Sequence, residues 1–420
     1  MQTHRFILFL LLFVPTALRG QSVLTLEECN TRARANYPLI QQHALLDKSG
    51  EYTLSNANKA YLPQVSLTLI GGYIINGLPT ATLPGVPSEE PDKVQGIALA
   101  QLNQTIWDGG ATKASKEITR ASTAAEKSYV DVQLFNIQDR VAQLYFGILL
   151  VDEQLQVLEV SEKNLKLNHD RLRLSNENGL GYRVEVDEME AELLKVEQRK
   201  IEFRFTRAAY LEMLSHFVGT PLGTDTRLER PVVSDAVLTG TNNRPEMIWY
   251  SNRTRLVETQ AGMDKVALMP KVGILGAGVF VTPGMQFATS KITNLALVGI
   301  SASWSTAGLY RNGNNKQLNQ IQLERINTER STFEFNQSLE VRQYSADVAR
   351  QRAILENDHK IVALKTRIQE SQQLKFDNGL CSAADLISAI NNEQDARGNQ
   401  RLHEIQLLKS LYAYKTTLGN

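Results

Sequence analysis

The sequence predicts a mainly helical protein built on two long α-helical hairpins, each preceded by a pair of strands long enough to cross a bilayer. Three observations carry this. The runs from Ala111 to Asn178 and from Asn314 to Asn378 contain no proline, and Gly147 is the only glycine in either, so backbone chemistry demands no break. At about 1.5 Å per residue the first run would extend roughly 100 Å if continuous, far beyond what a compact domain buries. Each run ends at Asn-Gly-Leu, Asn178-Gly179-Leu180 and Asn378-Gly379-Leu380, and a second proline-free run heads back, from about Tyr182 to Val218 and from Ser382 to Leu418. Finally, the elements recur in the same order in both halves.

At the N-terminus, Arg5 followed by the apolar run Phe6–Val14 and the small residues of Pro15–Gly20 reads as a signal peptide over residues 1–20, with cleavage after Ala17 or Gly20. Nine apolar residues fall well short of the ~20 needed to span a bilayer as a helix. No cysteine follows the cleavage region directly, so lipid attachment has no support. Lys+Arg 45 balances Asp+Glu 45, and the charges are interspersed, so nothing points to nucleic acid. The only cysteines, Cys29 and Cys381, sit in unrelated positions of the repeat and are expected as free thiols rather than a disulfide.

The mature chain opens on Leu24-Thr25-Leu26-Glu27-Glu28, where Thr25 can cap a helix reaching Asn36 and Glu28 can close a capping box. A second helix follows from Pro38 to about Ala60. Tyr61-Leu62-Pro63 ends it and opens a strand over about 64–75, in which Val65, Leu67, Leu69 and Tyr73 alternate with polar or small residues. Pro79, Pro84, Pro87 and Pro91 mark an irregular loop from Asn76 to Lys93. A strand over about 96–106 then leads through Trp107-Asp108-Gly109-Gly110 into the hairpin 111–218. Thr-, Gly- and Pro-rich residues 221–242 read as a linker. In the second half, strands at about 271–281 and 295–304 flank a loop at Thr282–Thr293 and lead into the hairpin 314–418.

The register of the two copies, 21–220 and 243–420, can be checked by subtraction. Asn36 and Pro38 match Asn243 and Pro245, and Pro63 matches Pro270, each displaced by 207. Trp107 matches Trp304, displaced by 197, and both Asn-Gly-Leu and Gly219/Gly419 are displaced by 200.

Hairpins at the ends of such rods are carried away from any globular core and must pair with something else. Open strand edges are not tolerated in lipid, and a closed membrane barrel needs about eight or more strands. Four strands per chain therefore imply an oligomer: two copies give eight strands, three give twelve. Trp107 and Trp304, where strand meets helix, fit an interfacial aromatic girdle or local packing anchors, and both readings stay open.

These features together resemble the TolC-like outer-membrane efflux proteins: the opening Leu24–Glu28 with Asn36 and Pro38, the apolar-Pro-x-Val starts of both strand pairs, Trp107-Asp108-Gly109-Gly110, and Gly-Leu followed by an acid six residues after the glycine. The resemblance covers nearly everything after the signal peptide. It implies a homotrimer whose twelve strands form one transmembrane β-barrel, with two structural repeats per chain and the helices forming a periplasmic tunnel. It also implies outer-membrane localisation, contact with outer-membrane lipid, and as partners a periplasmic adaptor of the membrane fusion type and an inner-membrane pump of the RND, ABC or MFS type. The expected function is that of an exit duct in a tripartite efflux or type I secretion system; a secreted structural coiled-coil protein is the alternative, which the paired strands disfavour. Two departures concern local geometry: the second strand pair exits through Trp304-Ser305-Thr306-Ala307-Gly308 rather than Asp-Gly-Gly, and Gly398 interrupts the last helix.

No catalytic constellation is visible. The histidines His43, His169, His216, His359 and His403 are scattered, no HExxH or CxxC occurs, and no cofactor or metal is implied. The informative residues flank the helix turns. Asn178, Gly179, Leu180, Asn378, Gly379 and Leu380 must form the turns, and the resemblance adds adaptor docking. Glu185, Asp187, Asp377 and Asp385 are candidates for an acidic constriction at the periplasmic tip, with Arg183 or Lys375 as ion-pair partners. For Asp385 a second reading stands beside this one, since Ser382-x-x-Asp385 is a capping box.

Overall fold

The computed structural model describes residues 23–73, 75, 94–232, 242–287 and 290–419. The expected signal peptide, the loop from Asn76 to Lys93 and residues 233–241 of the linker lie outside the described residues. Helix α1 is Leu26–Asn36, and a 3-10 turn at Pro38–Ile40 leads into α2, Gln41–Asn58, which ends in another at Lys59–Tyr61. Strands β1, Gln64–Tyr73, and β2, Val94–Trp107, follow; then come α3, Ala111–Phe135, α4, Ile137–Glu177, and α5, Arg183–Val218. The second half holds α6, Pro245–Val266, β3, Lys271–Phe287, β4, Ser290–Ser303, α7, Ala307–Asp377, and α8, Ala383–Thr417.

Three expectations are corrected. The first long run lapses at Asn136, between α3 and α4, although no proline or glycine is present; asparagine is itself a weak helix former because its amide competes for backbone partners. Where a loop is expected at Thr282–Thr293, the described residues instead continue the β3–β4 ladder, with Met285 paired to Ile292 and Phe287 to Ser290. Pro283, which cannot donate to a ladder, falls in the irregular stretch between Phe280 and Met285, which is why the strand survives it. Gly398 does not interrupt α8. A Cβ there would lie 3.3 Å from Gln154 Oε1, and the Gly398 carbonyl accepts from Gln154 Nε2 at 3.0 Å, so the glycine serves close approach to α4.

The chain folds as two compact units. The first comprises the segment up to Pro38, Leu134–Asn242 and Leu339–Asn420. Its core joins Leu26 and Cys29 of α1, Val141, Tyr145 and Ile148 of α4, Leu214 and Val218 of α5, and Leu411 and Tyr412 of α8, all buried. Farther along the hairpins, Leu158, Leu165 and Leu172 of α4 face Met189, Val196 and the partly buried Phe203 of α5. Both sets are spaced by seven, the repeat that underwinds helices into a left-handed coiled coil. Ala383, Leu386 and Ile390 of α8 complete this cluster. Asn36 closes the C-terminus of α5 by donating to the carbonyls of His216 at 2.9 Å and Phe217 at 3.2 Å, and Gly219 ends the helix with φ +75°. A short parallel bridge, Leu24 with Leu228, ties the N-terminal segment to the described part of the linker. The Tyr145 hydroxyl lies 2.8 Å from the Leu24 carbonyl and 2.6 Å from that of Glu229, pinning both strands to α4.

The second unit comprises Leu39–Gln133 and Asn243–Ser338. Its strands form one antiparallel sheet in the order β1-β2-β3-β4. Tyr250 and Val257 of α6 pack against Ile326 of α7 in its small core, and Asp264 accepts from Asn315 and Asn319, both at 2.7 Å.

Candidate functional site

The two helix turns of the first unit repeat each other atom for atom. In both, a glycine takes a left-handed conformation, φ +71° at Gly179 and +69° at Gly379. Leu180 N–H donates to the Ser175 carbonyl at 2.9 Å and Gly179 N–H to Asn176 at 3.0 Å; Leu380 N–H donates to Lys375 at 2.8 Å and Gly379 N–H to Phe376 at 2.9 Å. These are paired Schellman motifs, which satisfy carbonyls orphaned at a helix end. The Asn178 and Asn378 amides each bond the carbonyl four residues back, Leu174 at 2.7 Å and Leu374 at 2.6 Å. What the turns leave over is apolar: Leu180 is 83% exposed and Leu380 75%.

The chain enters the return helices differently. Asp385 and Ser382 form the full capping box: Asp385 N–H donates to Ser382 Oγ at 3.2 Å, and Ser382 N–H donates to Asp385 Oδ2 at 3.1 Å. Hydrogen bonds from the Ser382 side chain and backbone hold the Asp385 carboxyl below its ordinary range. Tyr182 occupies the equivalent position ahead of α5 without a side-chain cap. Glu185 lies in the first turn of α5, and the exposed Arg183 sits 3.8 Å from Asp187 one turn on. Asp377 accepts from Arg171 of α4 and from Gln373, each at 3.0 Å. Lys375, in the last turn of α7, supplies positive potential at Asp385. The fold thus gathers Asp377, Lys375, Asp385, Glu185 and Asp187 at the turn end of the first unit.

In that unit α4 packs on α5 and on α8, while α7 bonds to α8 and α4. α5 also packs on α8. Both α5 and α7 leave an apolar stripe exposed: Leu194, Ile201 and Phe205 on α5, and Ile361, Leu364 and Ile368 on α7. Counted from their turns, Leu194 lies level with Ile368 and Ile201 with Ile361.

Among the described residues of the second unit, the sheet leaves β1 and β4 at its edges without a further partner strand. Both edge strands are exposed throughout the residues whose side chains are described. Register places Leu67, Leu69, Ala98, Ala100, Phe280, Val298 and Ile300 on one face. The other mixes Ser66, Thr68, Gln101, Asn103 and Ser301 with apolar residues. Trp107 ends β2, 43% exposed, and Trp304 follows β4, 61% exposed, its indole N–H donating to the Leu268 carbonyl at 3.1 Å. Both readings of these tryptophans thus keep support: each is accessible, and Trp304 is also locally anchored. Among the described residues no helix is long and apolar enough to cross a membrane, and no acid, histidine and cysteine cluster could hold a metal.

Sequence reasoning missed the clasp made by Leu24, Leu228, Tyr145 and Arg230. Arg230 lies 2.7 Å from Glu153 of α4 and 3.3 Å from Glu404 of α8, and Arg401 lies 3.0 Å from Glu404. A polar Arg in a Pro- and Thr-rich stretch carries no local signal of this; its partners lie far away in sequence.

Residues 31–220 match the profile of the family described as outer membrane efflux protein. The alkaline protease secretion protein AprF of Pseudomonas aeruginosa is 23% identical over 184 residues, which are 44% of this chain and 37% of AprF, so the match spans little more than a third of that relative. Among solved structures, the outer membrane protein VceC of Vibrio cholerae is 14% identical with a TM-score of 0.66, over 94% of this chain and 96% of VceC. The open state of the MtrE outer membrane channel of Neisseria gonorrhoeae is 14% identical with a TM-score of 0.63, over 94% and 89%. The CmeC outer membrane channel of Campylobacter jejuni is 13% identical with a TM-score of 0.64, over 94% and 85%. At these identities the likeness is one of fold, and it extends over nearly the whole chain. The resemblance to TolC-like efflux proteins read from the sequence is borne out.

Proposed function

We propose that the protein is the outer-membrane exit duct of a tripartite efflux or secretion assembly: three copies close their sheets into one twelve-stranded barrel, and their long helices enclose a periplasmic passage. The observation that carries this reading is the four-stranded sheet with both edges unpaired and apolar side chains exposed along them. Such a sheet in water is an aggregation hazard; in lipid it is viable only when closed. The level apolar stripes on α5 and α7 support the same assembly, since a head-to-tail contact between unlike patches generates a ring. The duct is passive, and export energy comes from an inner-membrane pump joined through a periplasmic adaptor. The exposed Leu180 and Leu380 turns are the adaptor's docking points.

At the turn end, threefold repetition of Glu185, Asp187, Asp377 and Asp385, with Arg183 and Lys375 among them, forms an acidic constriction that repels anions and favours cations. Asp385 holds two roles, as cap of α8 and as part of that ring. In planar bilayers the purified protein is expected to pass cation-selective current, and Asp385→Ala with Glu185→Ala is expected to raise conductance and reduce cation preference. Unchanged conductance and selectivity would remove the constriction role, and no current from the unsubstituted protein would remove the duct.

A further inference from the structure

Residues opposite one another across a ladder share a face, and every second residue along a strand returns to it. On the face that carries Ser66 and Gln101, the register therefore stacks side chains in rows about 7 Å apart. One row runs from Gln64 through Asn103 and Leu275 to Gly299, and the next from Ser66 through Gln101 and Ala277 to Leu297. The third runs from Thr68 through Leu99 and Val279 to Leu295, and the fourth joins Ile70, Ile97 and Val281. Amides and hydroxyls thus give way, along the same strands, to an aliphatic band. None of these residues carries a charge.

The opposite face is apolar throughout Val65, Leu67, Leu69, Val298 and Ile300 and is the face suited to lipid, which leaves the rows for the interior of the proposed barrel. A water-filled interior is ordinarily polar, so a continuous aliphatic band there is an apolar patch without a partner in the chain itself. Ile70 is 57% exposed and Leu295 63%. We infer that this band is a binding collar for an uncharged amphipath, a molecule with an alkyl chain and a hydroxyl- or amide-bearing head. The chain lies on Ile70, Ile97, Leu99, Val279, Val281 and Leu295, while the head exchanges hydrogen bonds with Ser66, Gln101 and Asn103. A charged head would surrender hydration on these rows without meeting a counter-charge. The inference rests on the duct reading above and adds a ligand class and its place.

The test places one thiol beside the collar in the full-length protein carrying Cys381→Ser, held in lipid nanodiscs. Ala277→Cys stands on the row face and Val298→Cys on the opposite one. A membrane-impermeant maleimide is expected to modify the first and spare the second; the reverse pattern, or equal modification of both, would overturn the duct reading itself. Alkyl glucosides, each below its micellar concentration, are then expected to slow modification of Ala277→Cys. From hexyl to nonyl, the half-protecting concentration should fall about three- to fourfold with each added methylene. Leu99→Ser with Leu295→Ser should flatten that series to less than about twofold per methylene. Val279→Thr, which keeps the side-chain shape, should flatten it in part and carries the test if the serines prevent assembly. An alkyl trimethylammonium of equal chain length should protect at least about threefold less well. With the thiol accessible, no protection by the glucosides, an unchanged chain-length series in both variants, or equal protection by the cationic head would each overturn the collar while leaving the duct in place.

Discussion

Asp108 caps α3 where β2 ends. Its Oδ1 accepts from the Tyr61 hydroxyl and from Gly110 N–H, both at 2.9 Å, and its Oδ2 accepts from Thr112 N–H at 2.7 Å. Burial pushes its carboxyl up, but hydrogen bonds from Thr112, Tyr61 and Gly110 outweigh that and hold it at about 2. A lowered folded-state pKa contributes stability that is complete above the ordinary carboxylate range and lost as pH falls through about 2. Asp108→Ala is expected to cost about 1–2 kcal/mol at neutral pH, measured by denaturant unfolding, with the gap to the parent closing as pH falls from 4 toward 2. A gap of the same size at both ends of that range would contradict the cap. Asp-Gly-Gly was legible as the entry to the helix because its geometry is local: Gly109 takes φ +71° and Gly110 φ +91°. Tyr145 was not legible, because its partners are backbone carbonyls 121 and 84 residues away. Its burial pushes the hydroxyl's pKa well above the ordinary tyrosine value.

At the scale of elements, the helix turns were readable before any coordinates because each Asn-Gly-Leu stands between two long proline-free runs, where the glycine can take the left-handed conformation that ends a helix. Which helix packs on which was not readable, since α7 and α8 meet through pairs such as Gln351 with Gln406, 3.0 Å apart, that periodicity alone does not join. The strand ends were misjudged at Thr282–Thr293, because cross-strand register carries the ladder past Pro283. The exposed turns make a prediction of their own: Leu180→Asp with Leu380→Asp leaves the Schellman hydrogen bonds intact, so assembly and unfolding should be unchanged while pump-dependent export falls. Retained export would exclude the turns as the adaptor's docking points.

For the whole molecule, the proposed assembly answers two features of the single chain. Among the described residues the sheet of the second unit has two open edges, and α5 and α7 of the first unit carry bare apolar stripes. In the proposed ring both are covered by neighbouring copies related head to tail. The strand lengths and the duplication pointed to an oligomer in the sequence, but the proposed number of copies rests on the resemblance to TolC-like proteins rather than on any residue. The central claim is that the functional particle is a closed ring of three chains in the outer membrane. The measurement that tests it most directly is the native mass of the detergent-extracted membrane fraction by light scattering, read beside unboiled and boiled gels. The account predicts a three-chain particle that survives detergent unboiled and collapses to the single chain on boiling. A monomer recovered from the soluble periplasmic fraction would contradict it, and would remove barrel, passage and constriction together.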